Sequence, residues 1–325
     1  MRRLGACRVG APAGGTESIS ESDRFRLETR ERFRETAGPT RLFERPLLKR
    51  DSSTPPCWNT KKIMEQVLFS NNTPYVVVPL MYRGVLKERS SAFVYDAVLK
   101  RLDDDSSAIN RFLESVRPFC YHENFGKISK NPTTPGQPYL GNQWFEGGDA
   151  RAAYGIVAGC KPNHIIEVGS GNSTMFMRRA INDFSLKTKI TSIDPAPRAE
   201  IDAICDKVIR TSVLDVPLDC FRKLQAGDIL FHDGSHVTFN GTDTVRLFLE
   251  ILPIIQPGVI IHIHDIFLPR EYGDSFDGRG YSEQYMLATA LLYSRSLEVL
   301  LPVSHLGEKG LFDPGVSFWM RKKED

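Results

Sequence analysis

The second half of this 325-residue chain alternates short apolar runs with helix-like segments, and that alternation limits the fold more than any other feature. His164-Ile-Ile-Glu-Val, Lys189-Ile-Thr-Ser-Ile-Asp, Lys207-Val-Ile-Arg, Asp228-Ile-Leu-Phe-His-Asp and Val259 to His264 each read as strands. Between them, Ser173 to Phe184, Arg198 to Cys205 and Cys220 to Leu224 read as helices or helical turns. Val245, Phe248, Leu249 and Leu252 recur at i, i+3, i+4 and i+7, which predicts another helix. Strands separated by helices give a parallel sheet covered on both faces. Ser282 to Tyr293 is a further helix. Leu297 to Val303 and Val316 to Arg321 close the domain as an antiparallel hairpin with no helix between them.

The remainder of the chain is less regular. Residues 1–50 hold twelve basic residues against seven acidic ones. With a net charge of +2 for the whole chain, residues 51–325 carry −3. The stretch is poor in large apolar residues, so residues 1–60 are expected to form a disordered basic tail. Residues 61–140 are read as a helical appendage and linker, with helices over Ser90 to Leu102 and Ser107 to Val116. Residues 141–325 form the main domain. The near-neutral balance gives no general drive toward nucleic acid or anionic membrane. The longest apolar stretch, Ile251 to Leu268, is broken by prolines, histidines and Asp265, so no membrane span is expected. No secretory h-region opens the chain, and the six cysteines form no C-x-x-C pair. Both point to reduced thiols and a cytoplasmic protein.

Glu167-Val168-Gly169-Ser170-Gly171 follows the first strand of the main domain and opens its first helix. Glycines there let the backbone turn tightly and approach a ligand held by helix N-terminal amides. Asp194 ends the next strand, 23 residues after Gly171, where a carboxylate can accept both ribose hydroxyls of an adenosine. A dinucleotide fingerprint would want a third glycine where Thr174 and Met175 stand. The acid ahead of the glycines instead resembles the first motif of class I S-adenosylmethionine-dependent methyltransferases. Asp228-Ile-Leu-Phe-His-Asp-Gly-Ser-His-Val and Pro257-Gly-Val-Ile-Ile-His-Ile-His-Asp-Ile-Phe-Leu-Pro are similar to a small-molecule branch of that superfamily. The resemblance implies an α/β fold: a Rossmann-like class I sheet of seven strands, the last antiparallel. It further implies that Glu167, Gly169, Ser170, Gly171, Asp194 and Asp233 hold S-adenosylmethionine.

His232, Asp233 and His236 follow strand four of that sheet; His262, His264 and Asp265 end strand five. The two strands are neighbours in the class I sheet, and their carboxyl ends line the ligand crevice. Two carboxylates there either repel or share a divalent cation. Related sugar O-methyltransferases resemble this arrangement, with acids after strands four and five holding Mg²⁺ and a histidine three residues past the first acid acting as base. The resemblance therefore implies Asp233 and Asp265 as metal ligands and His236, with Asp233, as catalytic. The chain departs from those enzymes in carrying His264 where they can have a second acid.

Other readings stand beside these. His262 can be a hydrogen-bonded core histidine, and Asp233 can close a turn with Gly234. A metal-dependent hydrolase would use His262 and His264 with His232 and His236. Trp144 and Phe145 either pack over the cofactor or anchor the linker, and Gly273 to Gly280 has a lid's composition. The reaction expected is methyl transfer to an oxygen of a small-molecule acceptor. A catalytically silent cofactor-binding protein is the alternative.

Overall fold

The computed structural model describes residues 67–70, 73–76, 89–273, 276 and 279–324. The chain divides into two compact units, residues 1–81 and 82–325. In the first, β1 (Val67–Ser70) pairs antiparallel with β2 (Thr73–Val76). The basic tail expected over residues 1–60 lies outside the described residues.

The second unit opens with α1 (Asp96–Asp104) and α2 (Ser106–Cys120). The first helix starts later than the sequence pattern implies, because the backbone ahead of it is taken up elsewhere. Val94 forms a bridge with Arg270, and the Tyr95 N–H donates to the Pro269 carbonyl at 2.8 Å. Buried Val98, Leu102, Ile109, Leu113 and Val116 join the same core as the sheet. The two helices are therefore part of the main unit, where a separate appendage was expected. After the short α3 (Glu123–Gly126), residues 131–141 hold no helix or strand.

Helix α4 (Gly147–Cys160) is apolar on nearly every side and sits inside the molecule, as all-round hydrophobicity requires. It ends at Lys161, which adopts the left-handed conformation before Pro162. The sheet follows: β3 (His164–Val168), α5 (Asn172–Asp183), β4 (Lys189–Ile193), β5 (Lys207–Ile209), α6 (Asp219–Arg222), β6 (Ile229–His232), α7 (Asp243–Arg246), β7 (Ile260–Ile263), α8 (Glu283–Tyr293), β8 (Leu297–Pro302), α9 (Val303–Glu308) and β9 (Phe318–Lys322). Strand order is β5-β4-β3-β6-β7-β9-β8. Antiparallel β9 is inserted between β7 and β8 in an otherwise parallel sheet. This is the expected Rossmann-like α/β sheet of seven strands, the last in sequence antiparallel. Residues of β3, β6 and β7 are buried on both faces, which is why they read as continuous apolar runs rather than alternating ones.

Two expectations need correction. Arg198 to Cys205 is not a helix beyond the single 3-10 turn Asp202–Ile204. The closing hairpin does contain a helix, α9, which returns the chain over α4. Among the described residues, no helix is long and apolar enough to cross a membrane.

Candidate active site

The glycine loop after β3 is packed against the loop after β6. Gly169 has φ +75°, and a β-carbon on it would lie 1.7 Å from the Asp233 carbonyl oxygen, so only glycine fits. The Asp233 N–H donates to the Val168 carbonyl at 2.8 Å, which locks the two loops together. At Gly171 a β-carbon would meet nothing within 4 Å. The residue borders an open cavity of about 730 Å³ instead, within the size range of small-molecule sites.

Glu167 does not reach that cavity, a correction to its expected cofactor contact. Its carboxyl is wholly buried behind the loop, where the Ser173 and Thr174 hydroxyls each donate to it at 2.6 Å. Thr174 in turn accepts the Gly171 N–H at 3.0 Å, so Glu167 fixes the start of α5. Burial pushes its pKa up to about 8, against the hydroxyl hydrogen bonds. Ser170 and Asp194 do border the cavity. One Asp194 carboxylate oxygen accepts the Ser170 N–H and the other the Ala196 N–H, both at 2.8 Å. A carboxylate has about four acceptor sites, so it still has capacity for a pair of hydroxyls. Ser212, Val213 and Leu214, beyond β5, border the same end.

At the other end, past β6 and β7, Asp233, His236, His264 and Asp265 form a compact cluster, flanked by Glu283 and Asp149. His236 and Asp265 both adopt left-handed backbone conformations (φ +59° and +53°), uncommon for residues with a side chain and concentrated at functional sites. His236 Nε2 lies 3.2 Å from Asp233 Oδ1 and 3.6 Å from Asp265 Oδ2. His236 Nδ1 lies 3.0 Å from Oε2 of Glu283, a wholly buried acid in the first turn of α8. The His236 carbonyl accepts the N–H groups of Ser282 and Glu283, satisfying two donors at the start of that helix. His264 Nδ1 is 3.6 Å from both Asp233 and Asp265, and its Nε2 is 3.5 Å from Asp149. Asp149, on α4, accepts the Val316 and Ser317 N–H groups.

Electrostatically the cluster is a set of ion pairs. Burial works against the charged form of both histidines. The hydrogen bonds of His236 to Asp233 and Glu283, and the Asp233 charge beside His264, override it and hold both imidazoles well above their ordinary pKa. Burial also opposes the Asp233 carboxylate, but His264 and His236 hold it well below the usual range. Asp265 is raised, mainly by burial.

This arrangement does not fit the expected Mg²⁺ site. A divalent ion needs carboxylates free to reach it at roughly 2.0–2.6 Å. Here Asp233 and Asp265 instead lie 3.2–3.6 Å from the ring nitrogens of His236 and His264. Among the described residues, no group of three or more His, Cys, Asp or Glu side chains is placed to hold a metal ion. The hydrolase reading fails on His262: its ring is fully buried, stacked 3.7 Å from Phe231, with Nε2 3.0 Å from Ser317 Oγ. It is the hydrogen-bonded core histidine that the sequence allowed.

The structure also brings in residues from the segment ahead of and opening α8. Tyr281 lies 4.6 Å from the His236 ring, and Phe276 and Arg279 line the cavity beside it. Glu283 stands 47 positions from His236, and no local pattern joins them.

Residues 166–266 match the model of a protein family described as a methyltransferase domain. The matched segment runs from the middle of β3 to just past Asp265, so it carries the glycine loop, Asp194 and the histidine cluster together. No curated protein matches the chain in sequence. Among solved structures, the SAH-bound methyltransferase PaMTH1 of Podospora anserina is similar at 17% identity, covering 71% of this chain and 89% of that one, with a TM-score of 0.37. Cofactor-bound Rv0187 from MTB is similar at 12% identity, covering 71% and 91%, with a TM-score of 0.35. Human N-acetylserotonin methyltransferase in complex with SAM is similar at 11% identity, covering 70% of each chain, with a TM-score of 0.32. At these identities and scores, nothing about cofactor or substrate passes from those proteins to this chain.

Proposed function

We propose that the chain is an S-adenosylmethionine-dependent methyltransferase acting on a hydroxyl of a small molecule. The observation that carries this reading is the placement of His236: it lines the cavity with its Nε2 beside Asp233 and Asp265, while buried Glu283 fixes its Nδ1. A base so oriented suits an acceptor that must lose a proton as it attacks, which a hydroxyl does and a neutral amine need not.

The residues present fit the cofactor. The Gly169–Gly171 backbone leaves space that a β-carbon at 171 would fill, Asp194 has acceptor capacity for ribose hydroxyls, and Asp233 is an anion for the amino group. When bound, S-adenosylmethionine supplies a methyl group on an already electrophilic, positively charged sulfur. What remains for the protein is to align the acceptor and take its proton. His236 does so only in its neutral form. Because its pKa is raised, turnover should increase with pH through that elevated value.

The test is calorimetric titration with S-adenosylhomocysteine, followed by incubation with methyl-labelled S-adenosylmethionine and a small-molecule extract. Label in an alkali-stable ether is the expected product. Binding without any labelled product supports the silent cofactor-binding alternative, and NAD binding in place of S-adenosylhomocysteine removes the methyltransferase reading.

A further inference from the structure

Trp144 is 58% exposed, an unusual position for an indole held on rigid backbone. The rigidity has a clear source. Buried Asn142 accepts the N–H groups of Trp144 and Phe145 through Oδ1, at 3.0 and 2.7 Å. It donates through Nδ2 to the carbonyls of Tyr139 and Phe145, at 2.8 and 2.9 Å. Gln143 takes a left-handed conformation (φ +63°) between them. Phe145 anchors the turn from below, against Phe176, Phe231 and His264. The turn thus buries one aromatic ring and presents the next to the cavity, which Trp144 lines.

Sheet order says which end of the cavity this is. β4 and β5 lie on one side of β3, β6 and β7 on the other. Arg198, from the loop after β4, stands 4.4 Å above the Trp144 ring, and both line the cavity with Asp194, Pro195 and Ala196. The indole is therefore at the Asp194 end, away from His236.

We propose that Trp144, with Arg198 stacked on it, is an aromatic platform for the adenosine part of the ligand that Asp194 receives. This rests on the functional reading above. The guanidinium covers one face of the indole and leaves the rest of the ring bordering the space where a purine would lie. An aromatic ring in contact with a base binds it through its π-face and apolar area. Ordering the ring in advance removes the entropy cost of fixing it on binding.

The experiment titrates the full-length protein with two probes: S-adenosylhomocysteine, and methylthioadenosine, which has the adenosine but lacks the amino acid. Trp144→Ala should weaken both by the same factor, about ten- to a hundredfold, the range seen when one ring is removed from a base. Trp144→Phe should keep most of the affinity and lose most of the fluorescence change that the wild type shows on binding. Melting temperatures of both variants should match the wild type, because the side chain is largely exposed. Wild-type affinity for both probes in Trp144→Ala overturns the platform and leaves the methyltransferase reading intact. A loss confined to S-adenosylhomocysteine also overturns it, placing Trp144 at the amino-acid end. If the wild type binds neither probe, both readings fall together.

Discussion

Gly169 and Asp233 meet backbone to backbone: a β-carbon on the glycine would stand 1.7 Å from the aspartate's carbonyl oxygen. The glycine loop after β3 and the loop after β6 are thus packed as one unit, and the two glycines of the motif have different duties. Gly169→Ala should destabilise the fold by at least about 2–3 kcal/mol, from the left-handed conformation and the displaced carbonyl. Gly171→Ala meets no protein atom, so it should melt like the wild type while losing S-adenosylhomocysteine affinity. Thermal melts and calorimetry on the pair separate packing from binding. Equal affinity in Gly171→Ala would mean that the ligand does not use this loop.

Asp194 was legible because it ends a strand at a fixed distance from a glycine loop, and the structure puts it at the cavity. Glu167 was not, since β3 is buried on both faces and alternation says nothing about which way its acid points. The partners of His236 divide in the same way. Asp233 lies three residues away, whereas Glu283 arrives from a helix whose start depends on the His236 carbonyl. The late start of α1 had no local signal either, because Val94 and Tyr95 pair with residues near 270. Local pattern reveals strand ends; it cannot reveal what a distant helix brings to them.

Asp194→Ala should weaken S-adenosylhomocysteine binding by about 1.5–3 kcal/mol, the cost of losing a charge-assisted pair of hydrogen bonds. Because the carboxylate also accepts the Ser170 and Ala196 N–H groups, a small fall in melting temperature should accompany it. Unchanged affinity in calorimetry would remove Asp194 from the ligand site.

Glu167 makes stability depend on pH in a direction that can be checked. Its pKa is about 8 in the folded protein, above the ordinary value of 4.5, so between those values the native state binds a proton that the unfolded chain has lost. The Glu167 contribution is full below about pH 4.5 and declines as pH rises toward 8. His236 and His264, raised above 6.5, add a decline in the same sense at higher pH. The share carried by these groups should therefore favour pH 5.5 over pH 8.5, against the lowered His164, His262 and His305, whose share rises with pH. Glu167→Gln keeps partners for Ser173 and Thr174 but cannot ionise, so it should flatten the slope by a few kcal/mol and exceed the wild type at pH 8.5. A wild-type slope in that variant would place the titrating group elsewhere.

If the aspartates are neutralised by histidines, metal should be dispensable. Chelator treatment should leave the melting temperature and S-adenosylhomocysteine affinity unchanged, and added Mg²⁺ should raise neither. A ligand that binds only the native state stabilises it by mass action, so a rise in melting temperature with Mg²⁺ concentration would restore the metal site on Asp233 and Asp265.

The last prediction concerns Glu283 as the positioning residue for His236. Its Oε2 is 3.0 Å from His236 Nδ1, while Oε1 lies 3.4 Å from His232 Nε2. Glu283→Gln preserves the shape and an acceptor for Nδ1–H but removes one of the two anions that raise the His236 pKa. The imidazole should then lose its proton at lower pH. Ring-nitrogen NMR on the protein should show the His236 midpoint falling in Glu283→Gln. With an acceptor in hand, the rising limb of the pH–rate profile should move to lower pH by the same amount. His236→Ala should abolish that limb, because the group whose deprotonation it reports is gone. If the NMR midpoint falls and the rate profile stays where it was, His236 titrates as described but is not the base.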